Sequence, residues 1–172
     1  MVLALPDLSG VIVEWEKSEK GTLSAEFFFD RYSGDWNALL RALFSADIKK
    51  VSHNVKDLQR TLLENGLPIE GFIFDTALAG YLLDATAGKY DIASLFAAYF
   101  HQTLSEPKHL DPDAFSMLGD TAEAETAFHV YTSAVDALYE TFAPELEKRE
   151  LHELYYEVEL PLCAVLALSL IH

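Results

Sequence analysis

The chain has 172 residues, enough for one domain with a sizeable core and no need of disulfide or metal staples. An apolar share of 51% excludes a disordered chain, and the single cysteine, Cys163, excludes an internal disulfide framework. The formal net charge of −16, from 12 basic and 28 acidic side chains, argues against autonomous nucleic-acid binding, which depends on neutralising phosphates. The basic clusters are Lys49-Lys50 and Lys148-Arg149. No charged segment followed by an apolar stretch opens the chain, no run of about 20 apolar residues occurs, and Leu160 to Ile171 is short and holds Pro161. These features predict a cytoplasmic protein with no membrane partner.

In chain order, Val2 to Leu5 is a short apolar strand stopped by Pro6-Asp7. Gly10 to Glu16 and Thr22 to Asp30, joined by the charged turn Lys17 to Gly21, predict an antiparallel hairpin. Trp36, Leu39, Leu40, Leu43 and Phe44 mark one face of a helix with Asp35 as a cap candidate. Lys50 to Ser52 is a brief strand. Asn54 stands at the N-cap of a helix whose stripe is Val55, Leu58, Leu62 and Leu63, and Asn65-Gly66 supplies its left-handed stop. Gly71 to Asp75 is the next strand, and Asp75-Thr76 caps a helix through Leu78, Tyr81 and Leu82. Two strands joined by a helix predict a parallel, right-handed pair. Asp91 caps another helix carrying Ile92, Leu95, Phe96, Tyr99 and Phe100, and Ser105 to Pro112 reads as a loop. From Asp113 the spacing predicts helix almost to the end, with Pro144 as an interruption and Leu151 to Leu170 as the resumption. The aromatics Phe72, Phe74, Tyr81, Phe96 and Phe100 fall at core periods and read as packing residues.

The segments VSHNVK, LLENGLPIEG and FDTALAGYLLDATAGKYDIASL, in that order, closely resemble the 3'-to-5' exonuclease (proofreading) domain of bacterial DNA polymerase I. Asn54 and Lys56 stand at its N-x-K, Phe74-Asp75-Thr76 at its F-D-T, and Gly88-Lys89-Tyr90-Asp91 before Leu95 at its G-[RK]-x-D…L run. Glu159 to Leu166 resembles the segment through which the family passes from exonuclease to polymerase. The resemblance implies an α/β fold, the ribonuclease-H-like sandwich: a mixed central sheet flanked by helices, with a helical C-terminal third. It implies one domain over residues 1–172, ending near residue 157 at the junction to a polymerase domain of the same polypeptide.

The resemblance also implies what catalysis needs. The family's nuclease holds two divalent metals, Mg²⁺ or Mn²⁺, on carboxylates from a D-x-E on the first strand, an Asp on the helix after N-x-K, and an Asp in a late Y-x-x-x-D. One metal generates hydroxide and the other stabilises the leaving oxygen. If the hairpin is the family's second and third strands, as its turn and lengths favour, the D-x-E positions are Leu5 and Asp7. In the rival register they are Glu14 and Glu16, at i and i+2 on one sheet face. The second motif position falls at Leu58, which cannot ligate a metal; Asp57 is about 100° away around the helix. At the third, the Tyr becomes Gly119 and the Asp becomes Glu123.

All three motifs are damaged, so a two-metal nuclease is not expected, nor a bound metal or other cofactor in this domain. The vestigial candidates are Asp7, Glu14, Glu16 and Glu123; the lost positions are Leu5, Leu58 and Gly119. His53, His101, His109, His129, His152 and His172 have no zinc spacing, and Ser52-His53 is no dyad, because strand neighbours point to opposite faces. The expectation is a degenerate exonuclease-like domain of DNA polymerase I that scaffolds the polymerase domain in DNA replication and repair, meeting DNA through the whole polymerase. Its alternatives are a divergent metal-dependent 3'-to-5' exonuclease and a stand-alone acidic interaction module.

Overall fold

The computed structural model describes residues 1–104 and 121–171. Three strands, β1 (Val2–Ala4), β2 (Gly10–Ser18) and β3 (Gly21–Phe28), form an antiparallel sheet in that order. Val2 pairs with Val13 and Gly10 with Phe28, so the hairpin is the second and third strand of its sheet. Its turn is tighter than the charge pattern suggests, because β2 runs on to Ser18 and only Glu19 and Lys20 separate the strands. Helix α1 (Trp36–Leu43) follows, with the Asp35 carboxylate accepting from Ala38 N–H at 3.1 Å.

Next come β4 (Lys50–Ser52), α2 (Val55–Glu64), β5 (Phe72–Asp75) and α3 (Thr76–Leu83), with β4 and β5 parallel as the crossover requires. Gly66 stops α2 at φ 67°. Gly71, at φ 77°, is required by close approach: a Cβ there would strike the carbonyl oxygens of Ile48 and Ser45. The Lys50 ammonium tucks into this corner and donates to the carbonyls of Ser45, at 3.1 Å, and Glu70. Burial pushes its pKa down to about 8.

The central sheet is split. β1 lies against β4, yet the hydrogen-bonded ladders are β1-β2-β3 and β4-β5. The cause is local: β1 ends at Ala4, Leu5 N–H turns to bond Gly10, and Pro6 has no N–H to offer a neighbour.

Alternation sorts the side chains into two cores. Val2 and Val11 point to one, with Leu40, Phe44 of the α1 corner and Leu62 of α2. Leu3 and Ile12 point to the other, with Phe74 and the long helix α5 (Ala122–Lys148), whose Phe128, Val135, Leu138, Phe142 and Leu146 are fully buried. α4 (Ile92–Phe100), capped by Asp91, closes this side. Tyr81 departs from the packing expectation: it is 48% exposed, edge-on to Tyr90.

Pro144 does not interrupt the C-terminal helix. α5 passes through it, held on both sides by buried Phe142 and Leu146, and the chain breaks at Glu150, at φ 59°. A π-helical turn (Leu154–Glu159) leads into α6 (Leu160–Ser169), which packs on α2. Pro161 sits in the first turn of α6, and the wide turn just before it suits a residue with no N–H to give. The loop expected at Ser105 to Pro112, the helix start at Asp113, and His109 and His172 lie outside the described residues.

Candidate functional site

β4 and β5 end side by side, and one carboxylate serves both helices that leave them. Asp75 accepts from Ala77 and Leu78 N–H at the start of α3, at 2.9 and 3.4 Å, and from Asn54 and Val55 N–H at the start of α2, at 2.8 and 2.9 Å. Burial raises its pKa, and the four N–H donors oppose that shift. Asn54 is therefore not the side-chain cap its position predicts. Its backbone is left-handed (φ 55°, ψ 54°) and its amide donates to the Asp57 carboxylate at 2.8 Å. Asp75 is the stronger acceptor, with two charged oxygens against one neutral one.

Behind this corner, Tyr155 from the π-helical turn brackets the same residue. Its hydroxyl accepts from Asp75 N–H at 2.7 Å and donates to Asp75 C=O at 2.9 Å. Burial and the nearby carboxylate push the phenol pKa upward. His53 is also drawn in, its Nδ1 2.8 Å from Thr76 Oγ1. Burial pushes the imidazole down to about 4, against the opposing pull of Asp91, so it is neutral at pH 7.

In front of the corner lies a cleft of about 420 Å³. The end of β1 forms one wall, the Ser52 to Thr61 stretch another, and Ile92 and Phe128 close it. Leu5 and Leu58, 53 positions apart in sequence, face it together. Asp57 is the one carboxylate on its wall, beside Arg60. A second hollow of about 450 Å³ shares His53, Asn54 and Ile92 and is lined by Tyr90, Asp91 and Tyr131.

The remaining candidates do not converge on this cleft. Asp7 is exposed and closes its own turn, accepting from Ser9 N–H at 2.9 Å and from Ser9 Oγ at 2.6 Å. Glu14 is buried between β2 and α5, where its carboxylate accepts from Ser133 Oγ at 2.9 Å. A bulge between Trp15 and Lys17 takes Glu16 out of strict alternation with Glu14, which removes the one-face geometry of the rival register. Glu123 is exposed, while the inner face of α5 carries Ala124 and Phe128. Gly119 lies outside the described residues. Among the described residues no group of three or more His, Cys, Asp or Glu side chains is placed to hold a metal ion.

The basic clusters are spent within the fold. Lys50 is buried; Arg149 donates to Leu83 C=O at 2.9 Å and pairs with Glu145 at 3.4 Å. Sequence reasoning missed Tyr155 and the second task of Asp75, both of which depend on long-range contacts. It also missed the ties between hairpin and α5, Arg31 to Glu125 at 2.7 Å and His129 to Glu26 at 2.8 Å. No helix of the described residues is long and apolar enough to cross a membrane.

A sequence profile described as DNA polymerase I, ribonuclease H-like domain, matches residues 24–108. DNA polymerase I of Chloroflexus aurantiacus is 32% identical over a match that covers 68% of this chain and 13% of that protein. The POL domain of Pol1 from M. smegmatis, solved in complex with a DNA primer-template and dNTP, superposes with a TM-score of 0.71. That likeness, at 21% identity, covers 92% of this chain and 24% of the other. The chain thus spans a small part of the relatives it matches.

Proposed function

The chain belongs to the exonuclease-like, ribonuclease-H-like domain family of DNA polymerase I, and from that premise we propose that it is a scaffold for the polymerase domain whose nuclease site no longer performs two-metal chemistry. The observation that carries this reading is the pairing of Leu5 and Leu58 on one cleft. They stand where the family's first-strand and N-x-K-helix carboxylates belong. A pair of hard divalent cations needs several converging carboxylate oxygens. The cleft wall offers Asp57 alone, already hydrogen-bonded to Asn54. The donor set does not fit the metals, and no hydrolytic step is derived through them.

The scaffold role is supported by α6. Cys163 and Ala167 are buried, while Leu162, Val165, Leu166, Leu168 and Leu170 are exposed. A contiguous apolar face of that kind on one helix marks a surface for another protein module. With the basic clusters engaged internally and a net charge of −16, DNA in replication and repair reaches the domain through the polymerase rather than by its own attraction.

The test is 3'-to-5' degradation of single-stranded DNA by the purified chain in Mg²⁺ and in Mn²⁺, with calorimetric titration of each ion. The expected result is no hydrolysis above background and no heat of binding. Hydrolysis that Glu123→Ala or the Glu14→Ala/Glu16→Ala pair abolishes overturns the reading and restores a divergent nuclease.

A further inference from the structure

Two polar atoms on the cleft wall have nothing to bond. Ser52 Oγ and Arg60 Nε are both buried without a hydrogen-bond partner. Ser52 as a whole is fully buried. The Arg60 side chain stays 41% exposed, and its Nε lies 3.9 Å from Glu64, an ion-pair distance too long for a hydrogen bond. Both residues line the same cleft. Buried polar groups are nearly always satisfied, so two orphans on one wall point to a missing partner. The hydroxyl can donate or accept; the guanidinium nitrogen can only donate.

Across from them the wall is apolar and includes Leu5, Leu58 and Phe128. Asp57 and Arg60 are the charged residues of the wall and oppose each other in sign. An ion of either sign finds no net complement there. We infer that the cleft is a binding site for a small, uncharged, planar heteroaromatic molecule, its ring against Leu5, Leu58 and Phe128 and its polar edge on Ser52 Oγ and Arg60 Nε. The inference rests on the reading that the cleft has given up metal chemistry, because a hydrated cation and an apolar ring do not share one cavity. It departs from that reading in giving the vacated site a ligand of its own, with no phosphate and no metal.

The probe is benzimidazole, which has both a donor and an acceptor nitrogen, and the control is indene, a hydrocarbon of the same shape with neither. Each is titrated into the ¹⁵N-labelled chain and followed by amide chemical shifts. Expected are saturable shifts confined to the neighbourhoods of residues 3–6 and 52–61, with benzimidazole binding about tenfold tighter than indene. Ser52→Ala removes a hydroxyl that bonds nothing in the free protein, so it keeps the fold and narrows that preference to about threefold or less. Leu58→Trp fills the cleft and abolishes both sets of shifts. Absence of saturable shifts, equal affinity for the two rings, or a preference untouched by Ser52→Ala overturns the inference. None of these outcomes involves DNA hydrolysis, so the scaffold reading stands or falls separately on the nuclease assay.

Discussion

The Tyr155 hydroxyl bonds the N–H and the C=O of Asp75, a residue 80 positions earlier in the chain. The C-terminal region is thereby clasped to the backbone of the residue whose carboxylate starts α2 and α3. Tyr155→Phe leaves both backbone groups without this partner in a dry site, and a cost of about 1–3 kcal/mol is expected. Asp75→Ala uncaps two helices at once, and about 3 kcal/mol or more is expected, since each cap is typically worth about 1 kcal/mol before burial is counted. Urea unfolding followed by circular dichroism measures both. A Tyr155→Phe protein as stable as the wild type would show that the clasp is dispensable.

His53 sets a pH dependence. Its folded pKa is about 4 and its ordinary value 6.5. Between those values the unfolded chain binds more protons, so stability falls as the pH drops through that window and is unaffected above it. The full effect is about 3 kcal/mol. Asp75, with its raised pKa, acts in the opposite direction at acid pH. His53→Gln isolates the histidine: the difference between its stability and that of the wild type should change steeply between pH 6.5 and 4 and be flat from pH 7 upward.

Restoring carboxylates to the cleft should be costly. Leu5 is 1% exposed and Leu58 is partly buried in the core around α1 and α2. The double variant Leu5→Asp/Leu58→Asp places two like charges on one apolar wall, and a loss of about 3–5 kcal/mol is expected in EDTA. Mn²⁺ should recover part of that loss by lying between the new carboxylates, read as a rise in melting temperature with metal concentration. A melting temperature indifferent to Mn²⁺ would mean that the leucines do not stand on a shared former metal site.

The exposed face of α6 should matter little to the isolated fold. Val165 is 56% exposed and Leu168 45%, and replacing both with lysine is expected to change stability by no more than about 0.5 kcal/mol each. In a longer chain that includes a polymerase domain, the same pair should uncouple the melting of the two modules, as differential scanning calorimetry would record. Unchanged co-operative melting would place the interface elsewhere.

The local grammar of the middle of the chain was legible: hairpin, helix stripes, the parallel β4-β5 pair and the caps Asp35, Asp75 and Asp91 all follow from neighbouring residues. Asn54 misled because a cap is read locally, whereas the acceptor that won comes from residue 75 and brings a full charge. Pro144 misled because propensity carries no knowledge of the core that holds Phe142 and Leu146 on either side of it. For the cleft, Leu5 and Leu58 were legible as substitutions in a family pattern; their facing one cavity is a tertiary fact. The orphaned Ser52 and Arg60 atoms had no signal in the sequence, since a serine in a strand and an arginine in a helix are ordinary until their surroundings are known.

The widened turn at Leu154–Glu159 works as a phase shifter. A π-helical turn carries one residue more than the α-helical turn it replaces, and each residue of helix corresponds to about 100° of rotation. Deleting a single residue there would let the helix run regular and would swing everything downstream by about that angle. Cys163 and Ala167 would then leave α2, and the greasy side of α6 would turn toward it. The direction in which the domain presents its apolar face is thus set by one surplus residue, placed next to the tyrosine that clasps Asp75.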